Sequence, residues 1–224
     1  MSEYAREIQS GISQYNSLLS HDDSVKLITY ISGFNQSFVS LPGILGIGLD
    51  NFLGSETTYY QQLGIPKYLI RTMAPEFLVV DAVRAWILSE TPQAENMSSL
   101  LDHMIFEGKI LFLLHESVSD QEEHKVFRFS KDQLRWCLEY ERSMWEFIIG
   151  NELLYSSERL LIRRFTREAP FIKEFGKESP GRAASWLGYR IVSSYMKRTG
   201  KTPSEMVQKD DSRTILSESR YKPK

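Results

Sequence analysis

"DHMIFEGKILFLLHES", residues 102–117, is the stretch on which the fold turns. Leu100, Leu101, Met104, Ile105, Phe106, Ile110, Leu111, Phe112, Leu113 and Leu114 cover almost every direction around a helix over 98–116. A helix that is apolar all round is a buried helix, so the segment predicts a central one. His103 and Glu107 lie one turn apart on it. A buried carboxylate is costly unless it is paired or holds a metal. Glu107 therefore requires a partner, with Arg182, His103 and a metal ion as the candidates.

The metal reading is tested by spacing. Zinc takes three or four protein ligands, and the helical hydrolase signature is His-Glu-x-x-His. Here His115-Glu116 runs into Ser117-Val118-Ser119, so the second histidine is absent, while His21 and His124 fall in polar, loop-like contexts. No GxSxG, Walker-type GxxxxGK or post-strand GxGxxG occurs, and no local spacing assembles a Ser-His-Asp triad. "GILGIGLDNFLG" is glycine-rich, but its apolar interleaving reads as a strand. The expectation is no catalytic set, no metal and no cofactor. A site built from His103, Glu107 and a distant third ligand is the alternative.

Outward from that helix, the chain has an α+β order. Its 224 residues, 42% hydrophobic and 25% charged, suit one substantial core. Residues 1–20 give a leading helix with Tyr4, Ile8, Ile12, Tyr15 and Leu19 on one stripe. A small sheet follows over 25–50, from "VKLITYISGF" (25–34) and "ILGIGLD" (44–50). A helical body occupies 59–208, with helices predicted at 67–74, 76–89, 98–116, 131–149, 157–166 and 181–199. Residues 209–224 read as a polar surface tail, and the whole as one domain, 1–224. Ser130-x-x-Gln133 and "TPSE" (202–205) are capping boxes, Ser98 caps the central helix, Pro75 and Pro180 suit first turns, and Gly200 is a C′ glycine. Trp136, Tyr140, Met144 and Phe147 form a stripe that reads as core, and Cys137 reads as a small buried hydrophobe.

Charge is unevenly distributed. Residues 1–158 carry 11 Lys/Arg against 22 Asp/Glu, a balance of −11, whereas 159–224 carry 16 against 7, a balance of +9. Either two complementary parts attract each other, or a basic face meets an anionic surface. A helix from 157 brings Arg159, Arg163 and Arg167 onto one stripe. No basic run is dense enough to predict nucleic-acid binding, no apolar run is long enough to span a membrane, and a single cysteine allows no intrachain disulfide.

"GLDNFLG…YY…IPKYLIRTMAPEF", "HMIFEGKILF", "RWCLEYERSMWEFI", "LLYSS", "ESPGRAASWLGYRIVSSYM" and "ILSESRYKPK" follow one another in a characteristic order. From about residue 25 to the C-terminus they resemble the gliding-motility-associated lipoprotein B family of Bacteroidota, most specifically in the "SPGR…W.G..IV..YM" block. That family is similar in overall fold to zincin-type metallopeptidases. The resemblance implies a sheet before a helix bearing His-Glu-x-x-His, and a later helix supplying a glutamate. Aligned by that order, Pro75 and Val79 stand in the histidine places, Glu76 in the general-base place, and Glu107-Gly108 fits the later glutamate. The zincin-like scaffold is then kept and both histidines are lost.

The resemblance further implies a cell-envelope protein on the periplasmic side, tethered to the membrane. Its partners would be proteins of the motility or secretion machinery, with contact to a membrane surface and none to nucleic acid. The opening "MSEYAREIQS" holds no apolar signal core, so tethering rests on the resemblance alone. Glu76, His103, Glu107, Arg182, Trp186 and Tyr189 are the candidate cleft or vestigial site. Two readings follow: a non-catalytic component acting through protein contacts, or a metal-dependent peptidase or hydrolase with an atypical site around His103 and Glu107.

Overall fold

The computed structural model describes residues 2–91 and 97–224, so positions 92–96 of the expected helical body lie outside the described residues. The architecture is α+β, with a small sheet early in the chain and helices elsewhere. The chain divides into two compact units, residues 1–91 with 114–128, and residues 92–113 with 129–224.

The first unit opens with helix α1 (Ser2–Leu19), whose Ile8, Ile12, Tyr15 and Leu19 are buried. Among the described residues one sheet forms, in the order β1-β3-β2, from β1 (Lys26–Tyr30), β2 (Phe38–Leu41) and β3 (Ile44–Gly48). The central strand β3 pairs parallel with β1 and antiparallel with β2. Its glycines serve close approach: a Cβ at Gly48 would stand 2.5 Å from the Gln36 carbonyl oxygen. Beyond β3, the buried Asp50 accepts from the Ser32 N–H at 3.0 Å and the Phe34 N–H at 2.6 Å. Burial pushes its carboxyl up, but these bonds prevail and hold it below the ordinary value. Short helices α2 (Thr58–Gln62) and α3 (Lys67–Ile70) lead to α4 (Leu78–Glu90), which packs on α1 and on the sheet. Strand β2 had no mark in the sequence, being four residues long with no buried member.

Helix α5 (Leu100–Ser117) is the predicted buried helix, with Leu100, Leu101, Met104, Ile110, Leu113 and Leu114 fully enclosed. It belongs to the second unit through Leu113, and its last turn and α6 (Glu123–Val126) belong to the first. The true cap is Ser99, one residue later than expected. Its hydroxyl accepts from the Asp102 N–H at 3.2 Å, and the Asp102 carboxylate accepts from the Ser99 N–H at 2.8 Å.

In the second unit the expected helix over 131–149 is two, α7 (Lys131–Glu139) and α8 (Glu141–Gly150), broken at Tyr140. The break rotates the expected stripe out of the core: Met144 is buried, Trp136 and Phe147 are half-buried, and Tyr140 is exposed, stacked on Trp136. Leu134, Cys137, Trp145 and Ile148 are buried with Met144. Helices α9 (Arg159–Thr166), α10 (Ala183–Thr199), α11 (Pro203–Gln208) and α12 (Ser212–Ser219) complete the unit. Both predicted capping boxes are formed, and Gly200 ends α10 at φ +65. Within the expected tail, α12 packs on α10 and the Tyr221 hydroxyl donates to Glu141 at 2.6 Å. Among the described residues no helix is long and apolar enough to cross a membrane.

Helices α5 and α10 meet backbone to backbone. A Cβ on Gly188 would lie 1.8 Å from the Met104 carbonyl oxygen, and one on Gly108 would lie 2.4 Å from the Gly188 carbonyl. No side-chain rotation relieves a clash with main chain. Gly108→Ala and Gly188→Ala are each expected to cost about 3 kcal/mol or more, a fall in Tm of roughly 6–12 °C for a chain of this size. Gly150→Ala, with open space around it, is expected to leave Tm unchanged or slightly raised. Thermal unfolding of the three variants checks the contrast, and equal behaviour would refute it.

Candidate functional site

The "SPGR" turn builds the site from its own local chemistry. The fully buried Ser179 hydroxyl accepts from the Ile172 N–H at 3.0 Å and donates to the Gly176 carbonyl at 2.6 Å, closing the loop before α10. Gly181 lies against the backbone of Ala169, where an added Cβ would stand 2.4 Å from the carbonyl oxygen. Arg182 then takes a left-handed conformation, φ +62, as the N-cap of α10. The helix starts at Ala183, two residues after the predicted 181, because a left-handed residue cannot begin a right-handed turn. A non-glycine residue held there costs on the order of 1–2 kcal/mol, so the surroundings must fix Arg182 in place.

Two carboxylates do so. The Arg182 side chain is 7% exposed; its Nη2 donates to Glu107 Oε2 at 3.1 Å and its Nη1 to Glu168 Oε1 at 3.2 Å. The partner that Glu107 requires is therefore Arg182. His103, one turn earlier on α5, is half-buried. Burial pulls its imidazole below the ordinary value, against the raising charges of Asp102 and Glu107. Trp186 and Tyr189 are buried on α10, at 1% and 8% exposure, with the Arg190 guanidinium 5.6 Å from the Trp186 ring centre. Glu76 lies exposed in a 3-10 turn of the first unit, whereas the other five candidates belong to the second. Among the described residues no group of three His, Cys, Asp or Glu side chains is arranged to hold a metal ion.

Several anchoring residues carried no local mark. Glu168 sits in a loop with no periodicity. Lys109, buried on α5, donates to the Val207 carbonyl at 3.2 Å and to that of Lys209, where α11 ends and its carbonyls lack helical partners. Burial lowers its ammonium to about 8. Glu141 accepts from Arg190 at 2.8 Å and from the Tyr221 hydroxyl. In the first unit Arg128, left-handed at φ +58, is bound to the buried Asp81 and to Thr72. Spacing alone reveals none of these pairs, because each joins segments far apart in sequence.

Removing Arg182 leaves two carboxylates in a mostly enclosed place. Breaking a buried pair of this kind costs on the order of 3–5 kcal/mol, and partial exposure of Glu107 and Glu168 puts Arg182→Ala near the lower end. Glu107→Gln in the same chain is expected to recover part of the loss. A double-mutant cycle from denaturant unfolding checks this: a coupling near zero would mean that the ion pair does not hold the turn.

The gliding-motility block quoted from the sequence falls on these anchors: Gly108 and Gly188 at the helix crossing, Ser179 and Gly181 in the turn, Arg182 on Glu107, and Tyr221 on Glu141. No curated protein and no solved structure matches the chain. The family model for gliding motility protein GldB does match it, over residues 1–223, and the chain belongs to that family.

Proposed function

We propose that the chain is a non-catalytic component of a cell-envelope motility or secretion machinery, working through protein contacts on a zincin-like scaffold that has lost its histidines. Membership of a gliding-motility lipoprotein family supports the envelope setting and the machinery. The observation that carries the non-catalytic part is the state of Glu107. Its carboxylate is engaged by Arg182, which also holds Glu168. A carboxylate neutralised by a guanidinium is a poor metal ligand, and the neighbouring imidazole of His103 lacks the companion histidine of a zinc helix. His103, Glu107, Arg182, Trp186 and Tyr189 are on this reading remnants of a site, kept for packing and charge balance. The expected result of elemental analysis on the purified protein is no stoichiometric zinc. About one zinc per chain, lost on His103→Ala, would restore the reading of a hydrolase with an atypical site.

The contact surface has a charged side. Arg159 and Arg163 are exposed one turn apart on α9, Arg167 is exposed just past its end where the chain is already extended and so departs from the expected helical stripe, and among the described residues none of the three forms an ion pair. Arg164, the odd one out, is bound to Glu174 at 2.5 Å. Leu160 beside them is 68% exposed. An envelope protein works next to anionic headgroups, where each Lys or Arg near the surface gains about 1 kcal/mol. We assign this stripe to the membrane side. Vesicles containing phosphatidylserine are expected to sediment the protein at low salt and to release it as salt rises. The triple variant Arg159→Gln, Arg163→Gln, Arg167→Gln should lose most of that binding. Equal binding to neutral and anionic vesicles would remove the assignment.

A further inference from the structure

The second unit holds a cleft of about 610 Å³ that the reading above does not use. One wall is a single face of α8, on which Arg142, Trp145, Glu146 and Ile149 recur at i, i+3, i+4 and i+7, with Gly150 after them. The other wall is the segment beyond α12, formed by Lys222, Pro223 and Lys224. That segment is held in place. Arg220, left-handed at φ +46, turns the chain at the end of α12, and the Ser219 hydroxyl accepts from the Tyr221 N–H at 3.0 Å. The Tyr221 hydroxyl is bound to Glu141, and its ring meets Trp145 edge to face with centres 5.1 Å apart. The cleft is therefore preformed, as small-molecule sites usually are.

Its floor and its rim differ in chemistry. Trp145, Ile149 and Pro223 give an apolar floor, and Ile149 is 49% exposed on a helix whose Met144 and Ile148 already serve the core. Gly150 adds no side chain, and a Cβ placed there would meet open space. At the rim, Arg142 is bound to Glu146 at 2.7 Å, so these two charges cancel. Lys222 and Lys224 are exposed, and among the described residues neither forms an ion pair. Two positive charges thus stand beside apolar surface that is open to water. Covering such surface is favourable by about 25 cal/mol per Å², and an anion at the rim adds attraction to both ammoniums.

We infer that the cleft binds a single-chain amphiphile with an anionic head, of the fatty-acid class. Its chain lies on Trp145, Ile149 and Pro223, and its carboxylate sits between Lys222 and Lys224. Three features favour this class. Among the described residues that line the cleft, none has a hydroxyl or amide side chain. Sugars, nucleotides and extended peptides need such fixed partners for orientation, whereas an alkyl chain needs none. The ammoniums are point charges on flexible stems, which follow a head group at the mouth without demanding one geometry. The volume falls within the roughly 300–1,000 Å³ of sites for one small ligand.

Isothermal titration of the full chain tests the site with decanoate, decanol, decyltrimethylammonium and butyrate, each kept below micelle-forming concentration. Decanoate is expected to bind at least tenfold more tightly than decanol, while the cation and the short acid give no measurable binding. Lys222→Gln combined with Lys224→Gln should bring decanoate down to the level of decanol. Gly150→Leu, which fills the open space on the α8 wall, should abolish both. Thermal unfolding confirms that these variants fold. Arg159→Gln, outside the cleft, should bind decanoate as the parent does, which separates this site from the proposed membrane face. The inference is overturned by any of four results: no binding of decanoate, equal binding of decanol or the cation, butyrate binding as tightly as decanoate, or decanoate binding that survives Gly150→Leu. A dimer in sedimentation that Gly150→Leu disperses would overturn it as well, since a second copy would then cover the face.

Discussion

The contact between Gly108 and Gly188 governs the second unit, because there two helices touch main chain to main chain. Side-chain packing has some slack, but a carbonyl oxygen facing a glycine Cα has almost none. Once α5 and α10 cross at that point, the neighbouring residues have little choice of place. Glu107, one residue before Gly108, is presented toward the start of α10, and Arg182, six residues before Gly188, lies where that carboxylate arrives. The ion pair at 3.1 Å is thus a consequence of the crossing as well as a brace for it.

Arg182 illustrates how a strained residue is held. Its left-handed backbone is unfavourable for any residue with a Cβ, and glycine would adopt it freely. Glycine, however, would leave Glu107 and Glu168 without their shared cation. A lysine ammonium reaches one carboxylate more readily than two, whereas the planar guanidinium presents separate nitrogens to each. The closed Ser179 loop and the tight Gly181 contact set the turn before the arginine is reached, so the local sequence and the long-range pair enforce the same geometry. Agreement of that kind between levels is what makes a fold unique.

What the sequence made legible was local or pervasive. The all-round apolar character of α5 announced burial, and the boxes at Ser130 and Thr202 announced helix starts because their chemistry closes within four residues. The need of Glu107 for a cation was readable from its setting, and Arg182 was a named candidate for it. Other features were hidden for physical reasons. Strand β2 is too short and too half-exposed to show alternation. The break at Tyr140 has no glycine or proline to mark it in the sequence. Ser98 and Ser99 are chemically the same cap, and only Asp102 as the reciprocal partner of Ser99 decides between them. Arg128 and Asp81 are far apart in sequence and share no pattern, so their pair becomes visible only once the chain is folded.

The charge asymmetry along the chain divides into two uses. Part of the basic excess after residue 159 is turned inward, where Arg182 and Arg190 reach Glu107 and Glu141 from the acidic part of the sequence. These pairs are within one compact unit, so their attraction stabilises packing. Arg159 and Arg163 are turned outward on a helix whose Leu161, Ile162 and Phe165 are committed to the core, and the exposed Arg167 follows at its extended end. The two like charges one turn apart on the exposed helix face repel each other in the free protein. That repulsion is relieved when an anionic surface approaches, so the face is better suited to contact than to solitude. The apolar side of α9 fixes where Arg159 and Arg163 stand, and on the proposed membrane-side reading their charge selects an anionic surface.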